Sequence, residues 1–167
     1  MAANETLVRA STFITIDADG EVTDTETIVV GGKTYTFDAT VDTDDGDVHV
    51  AADAEGHCKN LVAAINVSDE GENGVADGTD YAVAMTRNPC VYAEFDGVDI
   101  VTLRALVPGS IGNVIPVTAG TSGVTVDNAT LENGEGNIAG FVEGLLDLNQ
   151  INSEVQSALK ILTPAAD

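Results

Sequence analysis

The stretch DVHVAADAEGHCKNLVAAIN, Asp47 to Asn66, decides the fold class, because the spacing of its apolar residues changes part-way along. Val48 and Val50 stand two apart, which puts both on one face of a strand and His49 on the other. From Ala54 onward, Cys58, Leu61, Val62 and Ile65 recur at helical spacing and form one stripe, with Glu55, Lys59 and Asn66 away from it. Asp53 stands just before this run, where a short carboxylate can accept from the helix's first unpaired N–H groups. A strand that runs into a packed helix, within a chain rich in Gly, Thr, Val and Asp, predicts an α+β domain: a small antiparallel β-sheet carrying one packed helix.

Upstream of this junction, TETIVVGGKTYTF, Thr25 to Phe37, reads as two strands joined by Gly31-Gly32. Ile28 and Val30 share one face, and Tyr35 and Phe37 supply apolar cover after the turn. Leu7 to Ile16 alternate as a further strand, and DADGE, Asp17 to Glu21, turns the chain. Downstream, SDEGENGVADGTD is a polar, Gly-rich loop. Beyond it Tyr81–Thr86, Val91–Phe95 and Asp99–Leu106 read as strands, the last two linked by the tight turn DGVD. A last strand, Asn113–Thr118, follows the loop PGSIG.

The tail differs in kind. Between Ile138 and Leu162, the residues Phe141, Leu148, Ile151, Val155, Ala158 and Leu162 follow a seven-residue pattern, and Leu145, Leu146, Leu159 and Ile161 widen the stripe. This predicts a C-terminal α-helix that packs along the domain or against another chain. The expected organisation is an N-terminal arm or strand over residues 1–26, a β-rich α+β core over 27–137, and a C-terminal helix and tail over 138–167.

The 28 acidic residues against 6 basic ones give a formal charge of −22. Such a chain repels phosphate backbones and anionic membrane surfaces, so neither nucleic acid nor membrane is an expected partner. Trp is absent and aromatics are sparse, which leaves little from which to build a stacking platform for bases or sugars. The acids are spread along the chain, which suits a subunit that stays soluble at high concentration. The opening MAANETLVRASTFITIDADG has no charged-then-apolar leader pattern, and no apolar run approaches the roughly 20 residues of a membrane span. Synthesis in the cytoplasm is therefore expected.

The residues that invite a chemical reading sit in the junction itself. A Cys–His nucleophile pair needs the two side chains within hydrogen-bond reach, but His57 and Cys58 are neighbours on a helix, so their side chains diverge by about 100°. Cys58 belongs to the apolar stripe, where a thiol behaves as a small hydrophobe. Cys58 and Cys90 are also too few for a disulfide scaffold and lack the paired spacing of a zinc site, so both are expected reduced. His49, Asp53 and His57 could converge on a metal across the strand-to-helix turn, yet their spacing matches no strong ligand motif, and they read as solvated residues around a helix start. The acidic loops DADGE and DTDDGD fail as EF-hand loops. With Gly20 sixth, position one is Thr15; with Gly46 sixth, positions one and three are Val41 and Thr43. No catalytic, cofactor-binding or metal-binding residue is assigned, and no cofactor and no enzyme activity are expected.

The order of elements carries more than any one residue. The runs TIVVGGKTYTF, GDVHVAADAEGHCKNLVAAIN and VTLRALVPGSIGNVIPV resemble a module of structural proteins in tailed bacteriophages: a "G-x-x-Y-x-F" hairpin, a "G-x-V-x-I" strand, a helix ending "N-L-x-x-A-I-N", and a strand closing "A-x-x-P-G-x-x-G-N-x-I". The matching residues are Gly32, Tyr35, Phe37, Gly46, Val48, Val50, Asn60, Leu61, Ala64, Ile65, Asn66, Ala105, Pro108, Gly109, Gly112, Asn113 and Ile115. The resemblance spans about residues 27 to 118. It implies a virion component on the outer capsid surface: a head decoration (cement) protein with the major capsid protein and sister subunits as partners, homo-oligomeric. A tail tube, sheath or fibre-associated subunit is the alternative, and a calcium- or glycan-binding β module is the alternative of another class. The resemblance carries over no catalytic residues.

Overall fold

The computed structural model describes residues 7–17, 22–41, 43–71, 78–120 and 123–136. Within them the chain forms β1 (Ser11–Ile16), β2 (Thr27–Val30), β3 (Lys33–Asp38), β4 (Asp47–His49), α1 (Ala54–Asn66), β5 (Val91–Phe95) and β6 (Ile100–Ala105). A 3-10 helix (Ser110–Val114), β7 (Val117–Ala119) and β8 (Val124–Val126) follow. The α+β class read from the Asp47–Asn66 junction is the one observed, with the strands divided between two four-stranded sheets, ordered β5-β6-β1-β8 and β4-β3-β2-β7. The C-terminal helix read from 138–162 lies outside the described residues.

The hairpin forms as its sequence requires. Ile28 lies opposite Tyr35 and Val30 opposite Lys33. Gly31 and Gly32 take φ of +59° and +84°, the pair of positive angles that a two-residue turn needs to match strand twist. The second hairpin, β5–β6, closes over Asp96, whose carboxylate accepts from the N–H of Val98 and of Ile100 at 2.9 and 3.1 Å. These backbone donors, Val98 first, hold the Asp96 carboxyl below its ordinary range.

Three expectations need correction. The sheet is not one antiparallel unit: β4 runs parallel to β3, with Thr36 opposite Asp47 and Asp38 opposite His49. Parallel neighbours usually need a long crossover, but β4 pairs only with the far half of β3. The chain therefore has to double back about three residues, roughly 10 Å, which a short loop can span. The strand read within Leu7–Ile16 does form, over Ser11–Ile16, and lies inside its sheet, flanked by β6 and β8. Tyr81–Thr86 forms no strand: Tyr81 makes a single bridge to Val48, and the chain then turns, Met85 N–H donating to the Ala82 carbonyl at 2.9 Å. Finally, Asn113 and Val114 close the 3-10 helix, so the strand expected there starts only at Val117.

The inner faces of both sheets meet α1 in one hydrophobic core. Ile14, Ile16, Leu103, Ile28, Val30, Tyr35, Phe37 and Val48 are buried with Leu61 and Ile65 of the helix. Each large apolar side chain buried in this way contributes about 1.5–3 kcal/mol. Asp53 caps α1 as its position suggests, its Oδ1 accepting from Gly56 N–H at 2.9 Å. The buried surface of α1 is wider than the expected stripe, taking in His57, Asn60, Ala63 and Ala64 as well, because the helix packs chiefly against β5 of one sheet and β4 of the other.

Candidate interaction surface

The junction that looked most chemical is structural in its geometry. His49 sits on β4 and uses its backbone: its N–H donates to the Asp80 carbonyl at 2.9 Å, and its carbonyl accepts from Asn60 Nδ2 at 3.1 Å. His57 is buried, not solvated as the sequence suggested, because its ring packs inward onto Phe37 of β3. Its ring meets Phe37 edge-on, with centroids 5.7 Å apart, and its Nδ1 lies 2.6 Å from the Asp53 carbonyl. A carbonyl can only accept, so Nδ1 carries the proton. Asp53 is occupied in capping. Among the described residues, no group of three His, Cys, Asp or Glu side chains is placed to hold a metal ion.

Cys58 is fully buried, and burial above all, with Asp96 and Asp99 adding repulsion, pushes its thiol up to about 12. A thiol in that state is a poor nucleophile at neutral pH. Cys58 in the native protein is therefore expected to resist maleimide at pH 7 and to label at least 100-fold faster in 6 M guanidinium, with the partly exposed Cys90 modified first. Peptide-resolved mass spectrometry reads both rates; a Cys58 that labels as fast as Cys90 in native buffer contradicts this burial.

The polar side chains that do organise the molecule are amides. Asn66 pairs with the outer edge of β5 as a strand would, donating to the Ala93 carbonyl at 2.8 Å and accepting from Ala93 N–H at 3.0 Å. That occupies the middle of an edge that could otherwise recruit another strand. Asn113 does the same to Gly134, at 3.2 and 2.8 Å. Asn88, which the sequence reading passed over, is buried and bonds to four groups at once. The Asn-Pro step at Asn88-Pro89, a turn initiator, was its only signal.

Acidic loops serve the fold too. Asp45 binds Lys33 Nζ at 2.6 Å, Thr86 N–H at 2.9 Å and the Thr86 hydroxyl at 2.6 Å, tying the loop before β4 to the turn after Tyr81. Burial alone would raise the Asp45 carboxyl, but the bonds from Lys33 and Thr86 outweigh it and hold the group below its ordinary range.

The far side of the first sheet faces outward. Alternation places Tyr92 and Glu94 of β5, Thr102 and Arg104 of β6, and Ser11 and Phe13 of β1 on this face, with Tyr92 opposite Arg104 and Thr102 opposite Phe13. Arg104 Nε donates to Glu94 at 2.7 Å, and the Arg9 guanidinium stands 6.0 Å over the Tyr92 ring while bonding the Ala105 carbonyl at 2.8 Å. Phe13 is 45% exposed. On a chain of 6 basic residues, two are gathered here around two aromatics. The face is close to neutral and amphipathic on an otherwise acidic molecule, a composition suited to protein contact.

No family model and no curated protein matches this chain. Among the described residues, the amides Asn60, Asn66, Asn88 and Asn113 are used internally, and an arginine–aromatic sheet face lies on the outside.

Proposed function

We propose that the protein is a structural virion subunit of a tailed bacteriophage, a head decoration protein that binds the outside of the capsid lattice and stabilises it. The supporting observation is what the fold does with the residues of the resemblance. Gly32 turns the hairpin, Gly46 returns the chain to β4, Asn60 and Asn66 fasten α1 to one strand of each sheet, and Gly112 and Asn113 lock the loop after β6. A motif spent in this way maintains a shape, which is what repeated placement on a lattice demands. The Phe13–Tyr92–Arg104 face offers a modest contact, and repetition over many sites supplies the strength that one contact lacks. The acidic remainder of the surface keeps free copies apart before assembly.

Co-sedimentation with undecorated capsids of the phage that carries the gene, run from low to high salt, tests this. Saturable binding at a fixed copy number per capsid is expected, with Phe13→Ser weakening it about tenfold, the loss expected for removing one well-packed aromatic worth about 1.4 kcal/mol. Absence of binding at every salt concentration removes the decoration reading, and binding to purified tails instead of heads transfers the protein to the tail.

A further inference from the structure

We propose that Asn133-Gly134 is a deamidation site that Asn113 holds closed while the chain is folded. This inference stands apart from the virion role and concerns how long one corner of the molecule keeps its shape.

In an Asn-Gly step the glycine amide nitrogen can attack the asparagine side chain, because the glycine has no Cβ to stand in the way. The bond formed joins Gly134 N to Asn133 Cγ and closes a five-membered succinimide. The bond broken is Cγ–Nδ2, and the Gly134 amide proton leaves with that nitrogen as ammonia. Water then adds to one of the two imide carbonyls and opens the ring. One opening leaves aspartate at position 133; the other leaves isoaspartate, in which the main chain runs through Cβ and is one atom longer. Asn133 is open to this chemistry. It is exposed, and it takes a φ of +60°, the left-handed region that asparagine tolerates.

The attacking nitrogen is what the fold withholds. Gly134 N–H donates to Asn113 Oδ1 at 2.8 Å, and Asn113 Nδ2 donates back to the Gly134 carbonyl at 3.2 Å. One side chain therefore holds both backbone groups of Gly134. The glycine also lies in a buried slot: a Cβ there would run into the Gly109 carbonyl oxygen and stand 3.0 Å from the Cβ of Ala10. On either side the chain is fixed, Glu132 exchanging two backbone bonds with Ser11 at 2.8 and 2.9 Å, and Glu135 two with Val8 at 3.0 and 3.2 Å. Attack requires Gly134 N to give up Asn113 and swing toward Asn133 Cγ, which this frame permits only by opening locally.

The consequence of failure is large for so small a change. Isoaspartate would place an extra main-chain atom between the two bridges, whose spacing matches Val8 and Ser11 as they stand. Glu135 would lose its register with Val8, and the Gly136 carbonyl would lose Ser110 N–H, from which it accepts at 2.9 Å. The loop after β6 would then be released from the residues that lead into β1. Asn113 is thus a guard on its neighbour as well as a brace.

The test uses the full chain, incubated in mildly alkaline buffer with and without 6 M guanidinium, with conversion at Asn133 followed by peptide-resolved mass spectrometry. Native protein is expected to convert at least about tenfold more slowly than the unfolded chain, because reaction proceeds only through a small open population. Asn113→Ala removes both bonds and is expected to raise the native rate about tenfold, with Cys58 still protected from maleimide. Equal rates in native and unfolded wild type overturn the proposal, as does an Asn113→Ala protein that stays folded and converts as slowly as wild type. Should that variant unfold and expose Cys58, hydrogen exchange in the wild type decides. The Gly134 amide is expected to exchange slowly and to quicken in step with Asn133 conversion as urea is added below the unfolding transition. Exchange at the rate of an unfolded peptide refutes the proposal, and so does conversion that stays constant while exchange quickens.

Discussion

Asn88→Ala is expected to lower the unfolding free energy by about 3–5 kcal/mol, read from the urea midpoint at pH 7 with the slope unchanged. The side chain is fully enclosed and bonds to both sheets. Its Nδ2 donates to the Val30 carbonyl at 3.0 Å and the Tyr35 hydroxyl at 3.2 Å, and its Oδ1 accepts from the N–H of Cys90 and Val91 at 2.9 and 3.1 Å. Its own N–H donates to the Ile65 carbonyl at 3.0 Å, so one residue joins β2, β3, β5 and the end of α1. Truncation removes four bonds and leaves buried groups on both sheets unsatisfied, a loss comparable with much of the 5–15 kcal/mol that stabilises a typical domain. Asn88→Asp keeps the two accepting bonds but sets a carboxylate against the Val30 carbonyl. That variant is expected to be at least as unstable at pH 7 and to recover as the pH falls, because only the protonated acid can donate there.

The same neighbourhood sets the alkaline limit of the wild type. Burial above all, opposed by the Asn88 bond and reinforced by repulsion from Asp45, pushes the Tyr35 hydroxyl up to about 12 from its ordinary 10.0. A raised folded pKa means that the unfolded chain gives up this proton first. Stability is thus fully present below pH 10 and drains away between about 10 and 12, by roughly 3 kcal/mol over that window.

Asn88 also marks the boundary of what the sequence made legible. Where structure follows from local spacing, the reading holds: the shift from period two to 3.6 around Asp53, and the double glycine between Val30 and Lys33, each specify their element within a dozen residues. Spacing tells which residues share a face, not which strands become neighbours. The parallel β3–β4 pairing, the split into two sheets and the interior place of β1 were therefore out of reach. Tyr81, Val83 and Met85 alternate like a strand, yet Val83 is 65% exposed, because Tyr81 spends its pairing on Val48 and the Asp45–Thr86 clasp draws the following residues into a turn. The junction's histidines drew attention through residue type alone. Burial and bonding made one a packing group and the other a strand residue, while the amides that join the elements carry no pattern of their own.

Gly46→Ala is the second substitution with a large expected effect, about 3–5 kcal/mol. Gly46 has φ of +119°, where side chains are rarely tolerated, and a Cβ there would stand 2.5 Å from the Thr34 carbonyl oxygen, a backbone atom fixed within β3. The clash cannot be relieved by a rotamer change. Moving Gly46 away would break the bond from Thr36 N–H to its carbonyl at 2.9 Å, the first link of the parallel pair. Gly97→Ala separates the two contributions: its φ of +98° is also positive, but nothing lies within 4 Å of its Cβ position, so only the conformational part, about 1–2 kcal/mol, is expected. Hydrogen exchange locates the damage. In Gly46→Ala the amides of Thr36 and of Val50, which donates to Asp38 at 2.9 Å, should lose protection ahead of the β1–β6 ladder, because β4 is held to its sheet by three paired residues only. If those amides open no sooner than the rest, the return loop is not where β4 is anchored, and the junction that leads into α1 must be held chiefly by the helix.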